Sequence, residues 1–467
     1  MTAPAATAPR RTRRGAELFL LTFAVFLAGI VSVAIEGALQ QGLTLAPLWY
    51  AATLAGMFLV AHLAIRRFAP YADPVLFPLV AMLNGLGVAV IHRLDLANTT
   101  RSQRFKVDFL VGNASLQLAW TGAGLLLLIA LLIVVRDHRS LARYSYTLGL
   151  IGLVLLGLPA ILPASISQVN GARIWIRLAG FSIQPGEFAK IALIVFFAAY
   201  LVAKRDVLSL ASRRILGVDF PRGRDLGPVL VAWLASLLVL VVEKDLGSSL
   251  LFFGIFVVML YIATQRTSWL LIGLLLFAGG AFTAWTLFAH VQERVSIWLH
   301  PFADANGKGY QIVQGLYGLA TGQLFGTGPG GGRPEIVPFA NSDFIVTTIG
   351  EELGLFGLTA VLVVYVLVVG RGLRTSLTVR DSFGKLLAAG LAFSLALQVF
   401  VVVGGVTKLI PLTGLTTPFL SYGGSSLVAN YILIGLLLRV SDAARRPPAG
   451  RPPVQPLQSA PTEVVRL

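Results

Sequence analysis

The sequence predicts an all-α, polytopic membrane protein, and three observations carry that prediction. Of its 467 residues, 56% are hydrophobic and only 12% are charged, whereas soluble domains carry roughly 25% charged residues. So few charges cannot cover the surfaces of two or three soluble domains. The mean hydropathy is +0.81, and apolar stretches of about 20 residues, long enough to cross a bilayer, recur along most of the chain.

Taken in order, these stretches lie near residues 16–35, 45–65, 74–92, 115–135, 144–163, 187–203, 226–242, 248–264, 269–289, 345–370, 386–406 and 422–438. They predict about 12 transmembrane helices. The first is expected to be a retained span, because its apolar run outlasts that of a cleaved leader. Basic residues then orient the bundle. Arg10, Arg11, Arg13 and Arg14 precede the first span, and Arg66 and Arg67 follow the second. Arg136, Arg139 and Arg143 follow the fourth, and Lys204, Arg205, Arg213, Arg214, Arg222 and Arg224 follow the sixth. Arg371, Arg374, Arg380 and Lys385 follow the tenth, and Arg439, Arg445, Arg446 and Arg451 follow the twelfth. All fall on one side of an even-numbered bundle, which places both termini in the cytoplasm. The loop 93–114, with Arg93, Arg101, Arg104 and Lys106, breaks the rule and suggests contact with an anionic ligand or lipid.

The expected organisation is a basic tail over 1–15, N-terminal helices over 16–143, a core over 144–440 with a long outer loop at 290–341, and a Pro-rich basic tail over 441–467. The tail composition is that of disorder near an anionic leaflet. The formal charge of +16 reflects cytoplasmic Lys and Arg rather than nucleic-acid binding. With no cysteine in the chain, disulfides, Cys-ligated zinc, iron–sulfur clusters and a thiol nucleophile are excluded. Chemistry must therefore come from helix ends and loops.

The loop 290–341 contains Trp298, Phe302, Tyr310, Leu316, Tyr317 and Phe325, too apolar for plain disorder, and loops this long are usually functional or disordered. Its centre reads His300-Pro-Phe-Ala-Asp304-Ala-Asn306-Gly307-Lys308-Gly309-Tyr310-Gln311. Asp304, in a Gly-punctuated turn beside Lys308, suits a general base; the same spacing suits an Asx turn. Gly326-Thr-Gly328-Pro-Gly-Gly331 matches a nucleotide-binding pattern literally, but no strand–helix unit surrounds it, and it reads as a hinge.

Asn170-Gly-Ala-Arg173-Ile-Trp175-Ile-Arg177 precedes Gln184-Pro185-Gly186-Glu187-Phe-Ala-Lys190. Glu187 and Lys190 share a helix face at a start that favours Pro and an acid. Arg173, Arg177 and Trp175 suit either a phosphate grip or interface anchoring. Glu243-Lys244-Asp245 forms a charged link between two apolar spans, either a solvated turn or a functional cluster. Ser342-Asp343-Phe and Glu351-Glu352 open the tenth span. The last outer loop runs from Lys408 through Thr413, Thr416, Thr417, Pro418 and Ser421 to Ser426. Irregular backbone at this depth survives only where protein or water covers it, which argues for a cavity lining.

In this order, the segments N-G-A-R-x-W, Q-P-G-E-F-A-K, D-L-G, D-x-x-G-x-G-Y-Q, S-D-F, G-E-E-L-G and P-F-L-S-Y-G-G-S-S resemble the SEDS family (shape, elongation, division and sporulation) over residues 145–440. The resemblance implies a ten-span core with two additional N-terminal helices, as in longer actinobacterial members. It implies a peptidoglycan glycosyltransferase that polymerises lipid II at the outer face of the cytoplasmic membrane beside a class B penicillin-binding protein. Asp304 matches the family's essential loop carboxylate, and Arg173, Glu187, Lys190, Asp245 and Lys408 match its polar cavity. Trp175, Lys308, Asp343 and Ser421 complete the expected substrate-binding set. Two departures stand out. Ala305 replaces the proline usual after the carboxylate, and Asn341-Ser342-Asp343-Phe344 keeps the aspartate of a His-Thr-Asp-Phe run without its His and Thr. The Gly414-to-Ser426 ending and the moderate tail lean towards an elongation role over division.

The expected chemistry is one displacement. The acceptor 4-hydroxyl attacks an anomeric carbon carrying a lipid diphosphate and converts an α linkage to β-1,4. A positioned base, typically worth about 10²–10⁴-fold, and positive charge on the leaving group are required. Asp304 would serve as base, and Arg173, Lys190 and Lys408, or a divalent cation (Mg²⁺ or Mn²⁺) as the one candidate cofactor, as counter-charge. A single strong carboxylate in the loop suits inversion over a two-carboxylate retaining scheme. The rival from another class is a flippase for the same lipid, since twelve spans with a basic central loop imitate a two-half transporter. Its polar residues, however, cluster at outer helix ends rather than at mid-membrane. A non-catalytic scaffold is the third reading.

Overall fold

The computed structural model describes residues 12–39, 45–98, 112–169, 172–178, 181–208, 211–215, 218–221 and 227–447. Arg10, Arg11, Arg101, Arg104, Lys106, Asn170, Arg222, Arg224 and the tail from residue 448 lie outside these.

Helices occupy every stretch the hydropathy picked out. They are α1 (Arg14–Ala38), α2 (Ala46–Phe68), α3 (Leu76–Asn98), α4 (Asn113–Val134), the single turn α5 (Ser140–Arg143) and α6 (Ser145–Ile161). After the short α7 (Ala164–Ser167) come two hairpins, β1 (Gln168–Val169) with β2 (Ala172–Arg173) and β3 (Ile176–Leu178) with β4 (Phe181–Ile183). Then follow α8 (Pro185–Leu208), the hairpin β5 (Ala211–Ile215) and β6 (Val218–Pro221), α9 (Gly227–Val242), α10 (Leu246–Thr264) and α11 (Ser268–Leu287). The long loop folds as α12 (Ala289–Leu299), a 3-10 turn (Pro301–Asp304) and α13 (Tyr310–Gly322), and α14 (Ile345–Thr378), α15 (Ser382–Val406) and α16 (Gly424–Arg445) close the bundle.

Among the described residues, ten helices are long and apolar enough to cross a membrane, so the chain is a multi-pass membrane protein. The sequence count of about twelve included α6 and α9, which reach only 17 and 16 residues. Pro163 restrains Leu162 from helical backbone and ends α6. The positive φ of Lys244, 57°, turns the chain just beyond α9.

Helices α3, α15 and α16 are the most enclosed, and α1 and α11 mostly face outward. Both described ends of the chain meet at one end of the bundle. There Asp73, fully buried between α2 and α3, pairs with Arg371 at 3.2 Å and with Arg445. Arg14 reaches Glu17 and the carbonyls of Pro70 and Ala72, and His62 Nδ1 lies 2.7 Å from Glu17 Oε1. The Tyr71 N–H donates to Asp442 at 2.8 Å. The opposite end carries the long loop and the segment 407–423.

Candidate functional site

At this loop end, side chains from four helices and the 339–344 segment gather around residues 412–416. Pro185 opens α8 with its missing N–H at no cost, and the preceding Gln184 N–H donates to Ser425 Oγ at 2.9 Å. One turn on, buried Lys190 Nζ donates to Glu187 Oε2 and to Gln398 Oε1 of α15, both at 2.8 Å. Gln398 Nε2 in turn donates to the Thr416 carbonyl at 3.0 Å. The Glu187–Lys190 pair is thus part of the frame, joined across the bundle to the last loop.

Asp245 caps α10. It accepts the Gly247 and Ser248 N–H groups at 2.9 and 3.2 Å and the Ser248 hydroxyl at 2.5 Å, which makes it a buried cap rather than a solvated turn. Burial pushes its carboxyl above the usual range against those hydrogen bonds. Burial, and then the neighbouring Asp245, raise Glu243 to about 8. The Glu243 carbonyl accepts the Arg173 N–H at 3.0 Å, which seats the β1–β2 hairpin on the end of α9 and leaves the Arg173 side chain exposed. Trp175 is half-buried beside it.

Helix α12 supplies two links that sequence reading missed. Arg294 Nη1 donates to the Leu412 carbonyl at 2.6 Å, and Trp298 Nε1 donates to the Lys408 carbonyl at 3.1 Å. The i, i+4 spacing of Arg294 and Trp298 was the available signal; for Gln398 it was a lone amide inside an apolar span. Asp343 is half-buried near Gly414. Burial raises it to about 6, and the charge of Arg294 opposes that rise. Ser421 is a brace: its hydroxyl donates to the Ser342 carbonyl at 2.6 Å and accepts the Thr417 N–H at 2.8 Å. Lys408 has a φ of 63°, and its ammonium has no hydrogen-bond or ion-pair partner among the described residues.

Asp304 ends the 3-10 turn with its carboxylate exposed. Oδ2 accepts the Lys308 N–H at 3.0 Å, and its carbonyl accepts the Gly307 and Gly309 N–H groups. Oδ1 takes no hydrogen bond from the described residues. The Asx-like turn and an available carboxylate oxygen therefore coexist. A Cβ on Gly307 would sit 2.4 Å from Oδ1, and one on Gly309 would sit 2.1 Å from the Pro301 carbonyl, so only glycine lets the turn close this tightly. The Lys308 ammonium pairs with Glu293 of α12 at 3.1 Å, tying the turn to the helix that carries Arg294.

The glycine run expected as a hinge is pinned instead. Thr327 and Gly328 N–H groups donate to the Glu351 and Glu352 carbonyls, both at 3.0 Å, and Leu355 N–H donates to the Gln323 carbonyl at 3.0 Å. Gly354, at φ 68° and ψ −172°, breaks α14 to expose those groups, a conformation that L side chains resist. Arg93 also has an internal role in place of the expected ligand contact. Buried, it pairs with Glu352 at 2.7 Å and Glu335 at 3.2 Å and donates to the Gly332 carbonyl at 2.6 Å. No group of three or more His, Cys, Asp or Glu suited to a metal ion occurs among the described residues. One turn inward from Lys190 and Glu243, a cavity of about 410 Å³ is lined by Leu156, Leu193, Phe197, Val239, Phe252 and others.

Residues 74–446 match the family model for FtsW, RodA and SpoVE, described as cell cycle proteins. The chain belongs to this family. The match begins just before α3, earlier than the residue 145 expected from motifs, and α1 and α2 lie outside it. Peptidoglycan glycosyltransferase RodA of Mycobacterium tuberculosis is 54% identical over 99% of this chain and 97% of its own length. Stage V sporulation protein E of Bacillus subtilis is 35% identical over 73% of this chain and 90% of its own. A solved chain reported for the coordination of polymerization and crosslinking by a peptidoglycan synthase complex superposes with a TM-score of 0.63 at 27% identity, covering 80% of this chain and 99% of that one. The rod shape determining protein RodA of Thermus thermophilus gives 0.54 at 25% identity, covering 79% and 96%.

Proposed function

We propose that this chain polymerises lipid II into β-1,4 glycan strands by an inverting displacement with Asp304 as general base. It is a peptidoglycan glycosyltransferase, as its full-length relatives are named. The observation that supports Asp304 is its exposed carboxylate, with Oδ2 held by the Lys308 N–H and Oδ1 open to an incoming hydroxyl. As that oxygen takes the 4-hydroxyl proton, the new bond forms at the anomeric carbon and the lipid diphosphate departs. Exposed Arg173 and Lys408, whose ammonium has no partner among the described residues, supply positive charge there. Lys190, already joined to Glu187 and Gln398, holds the frame. The apolar cavity beneath suits the polyprenyl chain.

In this reading the loop end faces outward, both termini are cytoplasmic, and the two helices before residue 74 are additions to a ten-helix core. The working partner is a class B penicillin-binding protein and the role is elongation; the synthase complex among the solved relatives supports such a partnership. The test is polymerisation of labelled lipid II by the purified chain, alone and with its cognate penicillin-binding protein, with moenomycin present to silence contaminating transglycosylases. Glycan ladders that vanish in Asp304→Ala are expected. Ladders that persist would move the base to another carboxylate, and lipid translocation without ladders would favour the flippase.

A further inference from the structure

We propose that Arg294 is a diphosphate-binding residue of this site, a side chain that joins Arg173 and Lys408 in receiving the leaving group's charge, set between the base loop and the 412–416 segment. The inference rests on the glycosyltransferase reading but is carried by separate observations.

Helix α12 joins the two halves of the site. Glu293 holds Lys308, whose own N–H holds the Asp304 carboxylate, and the next residue, Arg294, points to the 412–416 segment. The side chain is half-buried and uses a single N–H, on the Leu412 carbonyl, while its remaining N–H groups have no hydrogen-bond partner among the described residues. A guanidinium has five donors in a rigid fork that matches phosphate oxygens two at a time. Holding one neutral carbonyl leaves most of that capacity open. Its surroundings are acidic: its charge stabilises the ionised forms of both Asp245 and Asp343, neither of which forms a salt bridge with it. Arg294 is therefore drawn to negative charge in the site without being consumed by a fixed partner. Lys190, by contrast, is consumed by Glu187 and Gln398.

Trp298 provides the internal control. It lies one turn along the same helix and makes the parallel bond to the same loop through a neutral donor. If Arg294 merely braces the loop, losing either bond has the same consequence.

The experiment is equilibrium binding of undecaprenyl diphosphate and undecaprenyl monophosphate to the full chain in detergent micelles, which needs no turnover. Wild type is expected to prefer the diphosphate. Arg294→Gln is expected to weaken diphosphate binding about ten- to a hundredfold, the loss typical of a charge-assisted hydrogen bond, and to erase that preference. Trp298→Phe is expected to keep it. Arg294→Lys, which retains a charge and a donor for the Leu412 carbonyl, is expected to fold and to show a partial loss, and it carries the test if the Gln variant does not fold. Wild-type diphosphate affinity in both Arg294 variants, or equal losses in Arg294→Gln and Trp298→Phe, would overturn the proposal. A wild-type chain that neither binds the diphosphate nor polymerises lipid II would instead overturn the glycosyltransferase reading itself.

Discussion

The two ends of the bundle differ in how completely their charges are paired. At the end where the termini meet, acids and bases match: Asp73 takes Arg371 and Arg445, Glu17 takes Arg14 and His62, and Asp442 takes Arg446 at 2.7 Å. At the loop end, Glu187 pairs with Lys190, Glu293 with Lys308 and Glu352 with Arg93, but Asp304 and Lys408 have no ion-pair partner among the described residues, and burial holds unpaired Glu243 towards its neutral form. A buried charge without a partner is costly, which is why burial favours the neutral form of Glu243, whereas Asp304 is exposed and Lys408 only half-buried, so water offsets the cost of leaving them unpaired. The difference separates frame from working groups: matched charges fasten helices, and unmatched ones remain for a ligand.

The sharpest way to break that comparison is at Asp304. Its replacement by Ala is expected to lower polymerisation by at least about 100-fold with the unfolding temperature unchanged, because the exposed carboxylate fastens little beyond its own turn. A large loss of stability would make Asp304 frame rather than base. Asp73→Ala should do the reverse. Stranding Arg371 and Arg445 is expected to cost about 2–3 kcal/mol, reduced from a fully buried case by their partial exposure. It should be read as a lower unfolding temperature in detergent with polymerisation per folded molecule preserved.

Acidity provides a third test. Burial raises Glu243 from 4.5 to about 8, so the folded chain binds a proton that the unfolded chain releases near pH 4.5. That contribution is fully present below pH 4.5 and is lost as pH rises to about 8. The unfolding temperature of wild type should fall across that window, and Glu243→Gln should flatten the fall; an identical slope in both would mean that Glu243 is matched after all. The smallest effect is expected from Trp298→Phe. Loss of one hydrogen bond to the Lys408 carbonyl should destabilise the chain by about 1 kcal/mol, visible as a small shift in thermal unfolding.

Much of the loop end was legible in the sequence because its residues are conspicuous there. Asp304 stands in a glycine-rich turn, and Glu187 and Lys190 stand one turn apart at a proline-marked helix start. Their partners were not legible. Gln398 meets Lys190 across 208 positions of sequence, and Arg93 meets Glu352 across 259. No local pattern encodes such meetings. The glycine run at 326–331 misled for the same reason, since its carbonyl partners at Glu351 and Glu352 become available only when Gly354 breaks α14.

By itself, the sequence determined the helices and their approximate limits. A span in hydrocarbon must satisfy its backbone hydrogen bonds within its own segment, so length and apolarity suffice to find it. The tertiary structure decided which charges are spent on one another and which are left open. Pairing depends on side chains brought together from distant helices, and only their packing sets Lys190 against Gln398 while leaving the Asp304 carboxylate exposed.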